Sequence, residues 1–263
     1  MSKKTKGYAT ELSIDKENKS FTKKFDETKI KNIVGTDKSI SKILQEEVDS
    51  IKKLNKVKNP YIITPEILEV NEKKHYFKQR YIEGDHFYKH LIKNCNKLYF
   101  NKKLINTFYE FGKFLGKFHK KYEYRKDKEN IPHSHLHGDL NSKNIMFVKK
   151  NKIFVFDPLT PKGTIYIDIT KFIMNIYLIN PFIKLFLSKK GLNELKNIFL
   201  KGYEEKGFKL DKKKLKKELL ERIDKRTKTY IKGQGLSYKI RKKLSDWEAK
   251  KVHKKIEEKG LEL

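Results

Sequence analysis

One stretch, residues 135–158, constrains this chain more than any other feature of its sequence. It contains His137-Gly-Asp139, then an asparagine five positions after the aspartate, Asn144. Two short apolar runs that predict β-strands follow, over residues 144–148 and 152–156, and the second ends at Asp157. At residue frequencies of about one in twenty, four fixed residues at fixed spacing recur by chance in well under about one chain in a hundred of this length. We therefore expect a loop followed by a β-hairpin, with polar side chains at both ends of the loop and after the hairpin.

These polar residues have the chemistry that phosphoryl transfer requires. Transfer from ATP to a hydroxyl needs a carboxylate that orients the alcohol and accepts its proton, and Asp139 on the loop can supply it. The reaction also needs oxygen ligands for Mg²⁺, which prefers one or two protein oxygens together with substrate phosphates. Asn144 and Asp157 can be those ligands if the hairpin brings them together. The simpler alternative is a hairpin whose Asp and Asn residues only serve turns.

At these residues the sequence resembles the protein-kinase-like superfamily, and within it the aminoglycoside/choline-kinase-type phosphotransferases. Their His-Gly-Asp-x-x-x-x-Asn signature and strand-ending Asp are followed by an Asp-Leu-Ala-like element, which corresponds here to Asp168-Ile-Thr. The resemblance implies a two-lobed fold with ATP in the cleft and Mg²⁺ as cofactor. It implies that Asp139 is the base, that Asn144 and Asp157 are metal ligands, and that His137 and Asp168 are structural supports of the loop.

The order of the predicted elements fits two lobes. We expect an α+β fold in which residues 1–82 form a small mixed β-sheet with one helix, and residues 83–263 form a mainly helical lobe with a basic tail. The predicted strands outside the hairpin cover residues 8–14, 19–25, 62–70 and 75–81. The predicted helices cover residues 38–57, 103–122, 169–180, 192–206, 212–231 and 237–259. Gly112 and Gly116 are predicted to be close-packing positions on their helix.

A lysine and a glutamate in the first lobe are candidates for the ion pair with which kinases hold the nucleotide phosphates. Glu47 lies within the apolar stripe of the helix over 38–57, where a carboxylate needs a partner. Strand alternation places Phe21, Lys23 and Phe25 on one face and Lys24 on the other. We therefore expect Lys24 to face the nucleotide, with Lys23 as the alternative; both could also be solvated surface lysines.

Two further site predictions come from element order and spacing. By resemblance, the backbone of Arg80 to Ile82, at the connector between the lobes, binds adenine. Lys143, four positions after the predicted base, can reach the γ-phosphate and stabilise its charge, or it can be a solvated surface lysine. No Gly-x-Gly-x-x-Gly loop precedes the lysine strand. Only eleven positions separate Asp157 from Asp168, which leaves little room for a long segment that docks a peptide substrate.

The charge balance bears on the phosphate acceptor. The chain has 63 basic and 33 acidic residues, a formal net charge of +30, and patches such as residues 212–217 and 239–243 in its second half. A positive field enriches anionic ligands, so we expect an anionic small molecule or glycan as acceptor. Only five of the basic residues are arginine, which weakens the case for nucleic acid.

The location of the protein is a separate expectation. One cysteine, Cys95, fits a reducing compartment, and the first residues show no apolar signal region, so we expect a cytoplasmic protein. No segment reaches the length of a transmembrane helix. The apolar run Phe172–Leu187 is expected to be core, with pocket wall or peripheral contact with an anionic membrane as alternatives.

Two other functions stay open at the level of sequence. The loop from Asp139 to Asn144 also resembles that of small atypical RIO-like kinases, some of which act in tRNA-modifying complexes, although Asp157-Pro differs from their usual Asp-Phe-Gly. The other alternative is a non-catalytic kinase-fold binding module. Candidates for every catalytic role argue against that last possibility.

Overall fold

The structure is a computed structural model that describes residues 3–6, 10–26, 39–96, 99–127, 130–159, 161–177, 188–228 and 236–259. Its strands are β1 (Lys3–Lys6), β2 (Thr10–Asp15), β3 (Ser20–Phe25), β4 (Ile62–Ile63), β5 (Ile67–Asn71), β6 (Tyr76–Arg80), β7 (Asp85–His86), β8 (Cys95–Asn96), β9 (Tyr99–Phe100), β10 (Glu123–Lys126), β11 (Pro132–His135), β12 (Ile145–Val148), β13 (Lys152–Val155) and β14 (Lys162–Thr164). Its helices are α1 (Ile40–Asn55), α2 (Phe87–Lys93), α3 (Lys102–Lys121), α4 (Tyr166–Tyr177), α5 (Lys189–Lys206), α6 (Lys212–Lys228) and α7 (Leu236–Lys259).

Five strands form a sheet in the first part of the chain, in the order β1-β2-β3-β6-β5. Every described pair in this sheet is antiparallel, so the prediction of a mixed sheet is wrong in this detail. The reason is local, because short turns join β2 to β3 and β5 to β6, and a short turn can only connect antiparallel strands.

Helix α1 covers one face of this sheet. Its apolar residues recur every three or four positions and pack against Phe25 of β3 and Phe77 of β6. The helix begins after Ser39, whose hydroxyl accepts a hydrogen bond from the N–H of Lys42 at 3.3 Å. The helix predicted over residues 38–57 is therefore present, and it fixes the side chains of α1 over the same sheet face as Phe25.

A larger core lies among the helices of the second part. The rings of Phe172 on α4 and Phe199 on α5 lie 4.3 Å apart between centroids, and both side chains are fully buried. Helix α3 packs so closely on α5 that a Cβ atom added at Gly112 would lie only 2.1 Å from the carbonyl oxygen of Phe199. A Cβ at Gly116 would lie 2.6 Å from the carbonyl oxygen of Tyr203. The predicted close-packing role of both glycines is confirmed.

The apolar run Phe172–Leu187 is core as far as the structure describes it. Phe172, Ile173 and Ile176 are fully buried on α4. Residues 178–187 lie outside the described residues, so the rest of this prediction is not tested. Among the described helices, none has the length and apolar character needed to cross a membrane.

Two small sheets frame the stretch that contains the His-Gly-Asp motif. Strands β12 and β13 form the predicted antiparallel hairpin, with Ile145 opposite Val155. Strand β11, which leads into the motif, pairs with β14, which leads into α4. This second pairing places the first turn of α4 beside the start of the motif.

The expected α+β class and the two-part arrangement of sheet and helices are confirmed. The five-stranded sheet lies in the first part of the chain, and six of the seven helices that the structure describes lie in the second. Leu54, near the end of α1, belongs to the larger core, whereas the earlier part of α1 packs on the sheet. The boundary between residues 82 and 83 stays a prediction.

Candidate active site

The loop that carries the His-Gly-Asp motif, residues 136–144, is fixed by a buried carboxylate. Asp168, in the first turn of α4, accepts hydrogen bonds from the backbone N–H groups of His137 at 2.6 Å and Gly138 at 2.8 Å. Its side chain is completely buried. Burial by itself raises the pKa of Asp168, but the hydrogen bonds from His119 and the loop outweigh this effect, and the pKa lies below its ordinary value. Asp168 is therefore an ionised anchor for the loop.

A second pair of buried side chains supports Asp168. The ring of His119 on α3 lies between Asp168 and Tyr203 of α5. Nε2 of His119 lies 3.1 Å from the carboxylate of Asp168, and Nδ1 of His119 lies 2.9 Å from the hydroxyl of Tyr203. Burial raises the pKa of Tyr203 well above its ordinary value, so this hydroxyl stays protonated and can donate to His119. Sequence reasoning missed His119 and Tyr203, because each lies within an apolar helical stripe and has no motif around it.

His137 connects the loop to the residues around Asp157. Its Nδ1 accepts a hydrogen bond from the N–H of Asp139 at 3.3 Å, and its Nε2 lies 3.1 Å from the carbonyl oxygen of Phe156. These partners fit a neutral ring with its proton on Nε2. Burial lowers the pKa of His137, which favours the same neutral form. The structural role that the resemblance implied for His137 fits these contacts.

Asp139 and Asn144, at the two ends of the predicted loop, are in direct contact. The side-chain amide of Asn144 donates hydrogen bonds to the backbone oxygen and to Oδ2 of Asp139, both at 2.9 Å. Asn144 is buried, whereas the side chain of Asp139 is about one-third exposed. Because Asn144 uses its nitrogen toward Asp139, its amide oxygen is turned to a different direction and can bind a cation.

Asp157 lies at the same end of the hairpin as Asn144. The register of β12 and β13 places the residue before Ile145 and the residues after Val155 side by side, and the N–H of Phe156 donates to the carbonyl oxygen of Asn144 at 3.2 Å. Asp157 has a φ of +57°, a left-handed conformation that non-glycine residues rarely adopt. Such backbone strain is concentrated at functional sites.

Lys23 of β3 joins the two parts of the molecule at this point. Its ammonium donates to Oε1 of Glu47 and to Oδ1 of Asp157, both at 2.7 Å. Burial alone lowers the pKa of Lys23, but the two carboxylates more than offset this effect and the pKa is raised. Burial raises the pKa of Glu47 to about 7 against the opposing effect of Lys23. One cation serves two carboxylates here, so the group as a whole is anionic when both are ionised.

The predicted orientation of Lys24 is wrong, and the alternative, Lys23, is the residue that faces Glu47. Lys24 is exposed on the other side of the strand. The physical reason is that Glu47 belongs to the helix covering the apolar face of the sheet. Its lysine partner must therefore share the face of Phe25, and Lys23 does so.

The predicted adenine-binding segment is split between sheet and connector. Arg80 ends β6, and its N–H donates to the carbonyl oxygen of Glu66 at 2.9 Å, while its guanidinium binds the Glu66 carboxylate. That N–H is therefore occupied within the protein, and adenine binding by the backbone of Arg80 to Ile82 stays a prediction. Ile82 lies in the connector after β6 and is half-buried.

Two lysines lie near the loop that carries Asp139, and the contact of Lys143 with the γ-phosphate stays a prediction. Lys143 is exposed, and its backbone N–H donates to the side chain of Asn141 at 2.8 Å. The ammonium of Lys171, on α4, instead lies 3.7 Å from Oδ1 of Asp139 and donates a hydrogen bond to the carbonyl oxygen of Gly138. Its position three residues after Asp168 is the only signal in the sequence that could have identified it.

The donor set at this site fits a hard divalent cation. The amide oxygen of Asn144 and the carboxylate of Asp157 are the oxygen ligands that Mg²⁺ prefers. Two protein ligands leave most of the coordination sphere to phosphate oxygens and water, as is usual for magnesium at nucleotide sites. Among the described ranges, no three His, Cys, Asp or Glu side chains gather into a metal site of their own.

The fold is similar to that of several solved structures. Amicoumacin kinase hAmiN, in complex with AMP-PNP, Ca²⁺ and Ami, is similar over 97% of this chain and 88% of that chain, with 13% identity and a TM-score of 0.60. The ternary complex of APH(2'')-IIa with streptomycin and ATP is similar over 93% and 90%, with 14% identity and a TM-score of 0.58. Choline kinase from Cryptosporidium parvum Iowa II is similar over 99% and 91%, with 12% identity and a TM-score of 0.53.

No protein-family model matches the sequence, and no curated protein matches it either. At these identities the structural similarity defines the fold. This chain has the protein-kinase-like fold, in the form found in aminoglycoside and choline kinases.

Proposed function

We propose that this protein is an ATP- and Mg²⁺-dependent phosphotransferase that moves the γ-phosphate to a hydroxyl of a small molecule or glycan. One observation carries the proposal. The ammonium of Lys23 on β3 binds the carboxylate of Asp157, which lies 134 positions later in the chain. At the same end of the β12–β13 hairpin, the side-chain amide of Asn144 binds the carboxylate of Asp139. A hairpin whose Asp and Asn residues only served turns would not need this lysine.

Nucleotide binding falls to residues of both parts of the molecule. Lys23 binds the α- and β-phosphates, and Glu47 holds its ammonium in position. The backbone near Ile82 contacts adenine. The carboxylate of Asp157 and the amide oxygen of Asn144 hold the metal ion. A divalent cation at this position supplies charge neutralisation and Lewis-acid stabilisation of the transferred group.

Asp139 acts on the acceptor. Its carboxylate hydrogen-bonds to the acceptor hydroxyl and takes the proton as the oxygen attacks the γ-phosphorus. The new P–O bond forms while the bond to the bridging oxygen breaks, and ADP leaves with that oxygen. The contact with Asn144 keeps the carboxylate pointed into the site.

The acceptor that we propose is anionic. The net charge of +30 and the ammonium of Lys171 beside Asp139 both favour a negatively charged molecule near the reacting hydroxyl. The similar structures contain amicoumacin kinase and choline kinase, which supports an acceptor of small-molecule size. An anionic acceptor should show a KM that rises with ionic strength, and a KM independent of salt between 0.05 and 0.5 M (about a threefold change in Debye length) would contradict this part of the proposal.

A transfer screen tests the function. The chain is incubated with γ-labelled ATP and Mg²⁺ over sugars, sugar phosphates, glycolipids, choline-like alcohols and aminoglycosides, with Asp157→Ala as the blank. We expect labelled product with at least one acceptor and none in the blank. Equal labelling by the wild type and the blank would contradict the proposal and favour a non-catalytic module. Steeply salt-dependent tRNA binding would favour the RIO-like alternative.

A further inference from the structure

Lys171, beside Asp139, contacts both the backbone and the carboxylate of the loop that carries the His-Gly-Asp motif. Lys171 lies one helical turn after Asp168 on α4, and residues three apart on a helix are neighbours on one face. Because Asp168 binds two N–H groups of the loop, Lys171 is held against the same loop. Its ammonium donates to the carbonyl oxygen of Gly138 and lies 3.7 Å from Oδ1 of Asp139.

The carboxylate of Asp139 is thereby contacted on both of its oxygens. Asn144 donates to Oδ2 at 2.9 Å, and the charge of Lys171 faces Oδ1. The two contacts come from different elements, one from the residue before β12 and one from α4. Rotation about the side-chain bonds of Asp139 would break at least one of them. The carboxylate is thus fixed in one orientation before any substrate binds.

The carbonyl group that Lys171 binds also belongs to a special position. Gly138 has a φ of +80°, and a Cβ atom there would lie 2.3 Å from the ring of Pro161. This turn sets the direction in which the chain enters Asp139. Lys171 therefore contacts both the backbone turn that aims Asp139 and the carboxylate itself.

We propose that Lys171 is a positioning residue for the transfer reaction, which fixes the carboxylate of Asp139 toward the acceptor hydroxyl. This inference rests on the proposed function. The role is distinct from the one expected of Lys143, which is exposed and for which the spacing suggested a contact with the γ-phosphate. The side chains of Lys171 and Asp139 are each about one-third exposed, so both border the space from which an acceptor approaches.

The test compares Lys171→Met, Lys171→Arg and, as a matched control, Lys149→Met at an exposed lysine near the hairpin turn. The readout is phosphate release from Mg·ATP, with water in place of the acceptor hydroxyl. We expect Lys171→Met to lower kcat by about 10- to 100-fold, because a small misplacement of a catalytic group has effects of this size. The KM for ATP should stay within about twofold, since Lys171 does not contact the nucleotide site at Lys23.

Further measurements separate positioning from folding. Lys171→Arg should recover most of the kcat, because a guanidinium can reach both the carbonyl oxygen of Gly138 and Oδ1 of Asp139. Lys149→Met should have the kcat of the wild type. Any of three results overturns the inference. In the first, Lys171→Met keeps the kcat of the wild type. In the second, its loss of kcat comes with a lowered melting temperature and an equally large change in the KM for ATP. The third such result is that neither Lys171→Met nor Lys171→Arg folds. If the wild type and Asp139→Asn release phosphate at the same rate, the proposed function itself fails. If that pair differs and Lys171→Met equals the wild type, only the inference fails.

Discussion

Lys23 is the residue whose contacts say most about the site, since it alone binds a carboxylate from each part of the molecule among the described contacts. Alternation along β3 identified two candidate lysines with opposite orientations. The choice between them depended on which sheet face the helix covers, and a single strand does not contain that information. The structure supplies it, because Glu47 and Phe25 lie on the same side of the sheet.

The two neighbouring lysines form a matched pair for mutation. We expect Lys23→Met to lower kcat/KM for ATP by about 100-fold, equal to about 2.7 kcal/mol of transition-state stabilisation, because the nucleotide phosphates lose a fixed cation. Lys24→Met should stay within about twofold of the wild type, since Lys24 is exposed on the opposite face. Steady-state transfer kinetics at varied ATP measure both. Equal losses in the two variants would show that neither lysine is specific to the site.

At the scale of elements, most of the regular structure follows from periodicity. The ends of α1, α3, α5 and the β12–β13 hairpin differ from the predicted ends by no more than three residues. Helix α2 and the strands β1, β7 to β11 and β14 were not predicted. Each of these is short, and a strand of two to four residues has too few positions to show an alternation of its own. Their positions are determined by tertiary pairing, such as β11 with β14.

The anchoring of the loop to α4 predicts a pH-dependent loss of stability in Asp168→Asn. The amide would place an N–H₂ group against backbone N–H donors, so we expect about 3 kcal/mol less free energy of unfolding at pH 7. The folded pKa of Asp168 lies below its ordinary 3.8, so its contribution is present above pH 3.8 and is lost as the pH falls through the folded pKa. The difference between wild type and variant should therefore shrink below pH 3.8.

Urea unfolding at pH 7 and at successively lower pH measures this difference. A variant as stable as the wild type at pH 7, or a gap that widens in acid, would be inconsistent with an ionised Asp168 anchor.

The close approach of α3 and α5 predicts that Gly112→Ala is destabilising. Alanine is the better helix former by about 1 kcal/mol, but its Cβ would collide with the carbonyl oxygen of Phe199. We expect a net loss of about 1–3 kcal/mol, the usual range for overpacking. Lys117→Ala, at an exposed position of α3, is the control and should change the stability by less than about 0.5 kcal/mol. Chemical denaturation measures the free energy of unfolding of both variants. A Gly112→Ala variant more stable than the wild type would mean that α3 and α5 lie further apart than in this structure.

At the scale of the whole molecule, the sequence predicted the two-part architecture better than the assembly of the site. Asp139, Asn144 and Asp157 could be predicted because one local motif contains them. Lys171 and the His119–Tyr203 pair were not predicted, because Lys171 approaches the loop from α4 and the pair approaches Asp168 from α3 and α5. The contact from Lys23 to Asp157 joins residues that no local pattern relates. The site is thus a product of the whole fold.

The most direct measurement is a calorimetric titration of the chain with AMP-PNP, with and without Mg²⁺, in the wild type, Asp157→Ala and the surface control Asp49→Ala. We predict that the wild type and Asp49→Ala bind AMP-PNP with Mg²⁺ and that EDTA weakens this affinity at least about tenfold. Asp157→Ala should show a similarly weak affinity even with Mg²⁺, because the metal would link this carboxylate to the phosphates. Equal affinity in all three proteins, unaffected by removal of the metal, would contradict a metal-nucleotide site at Asp157.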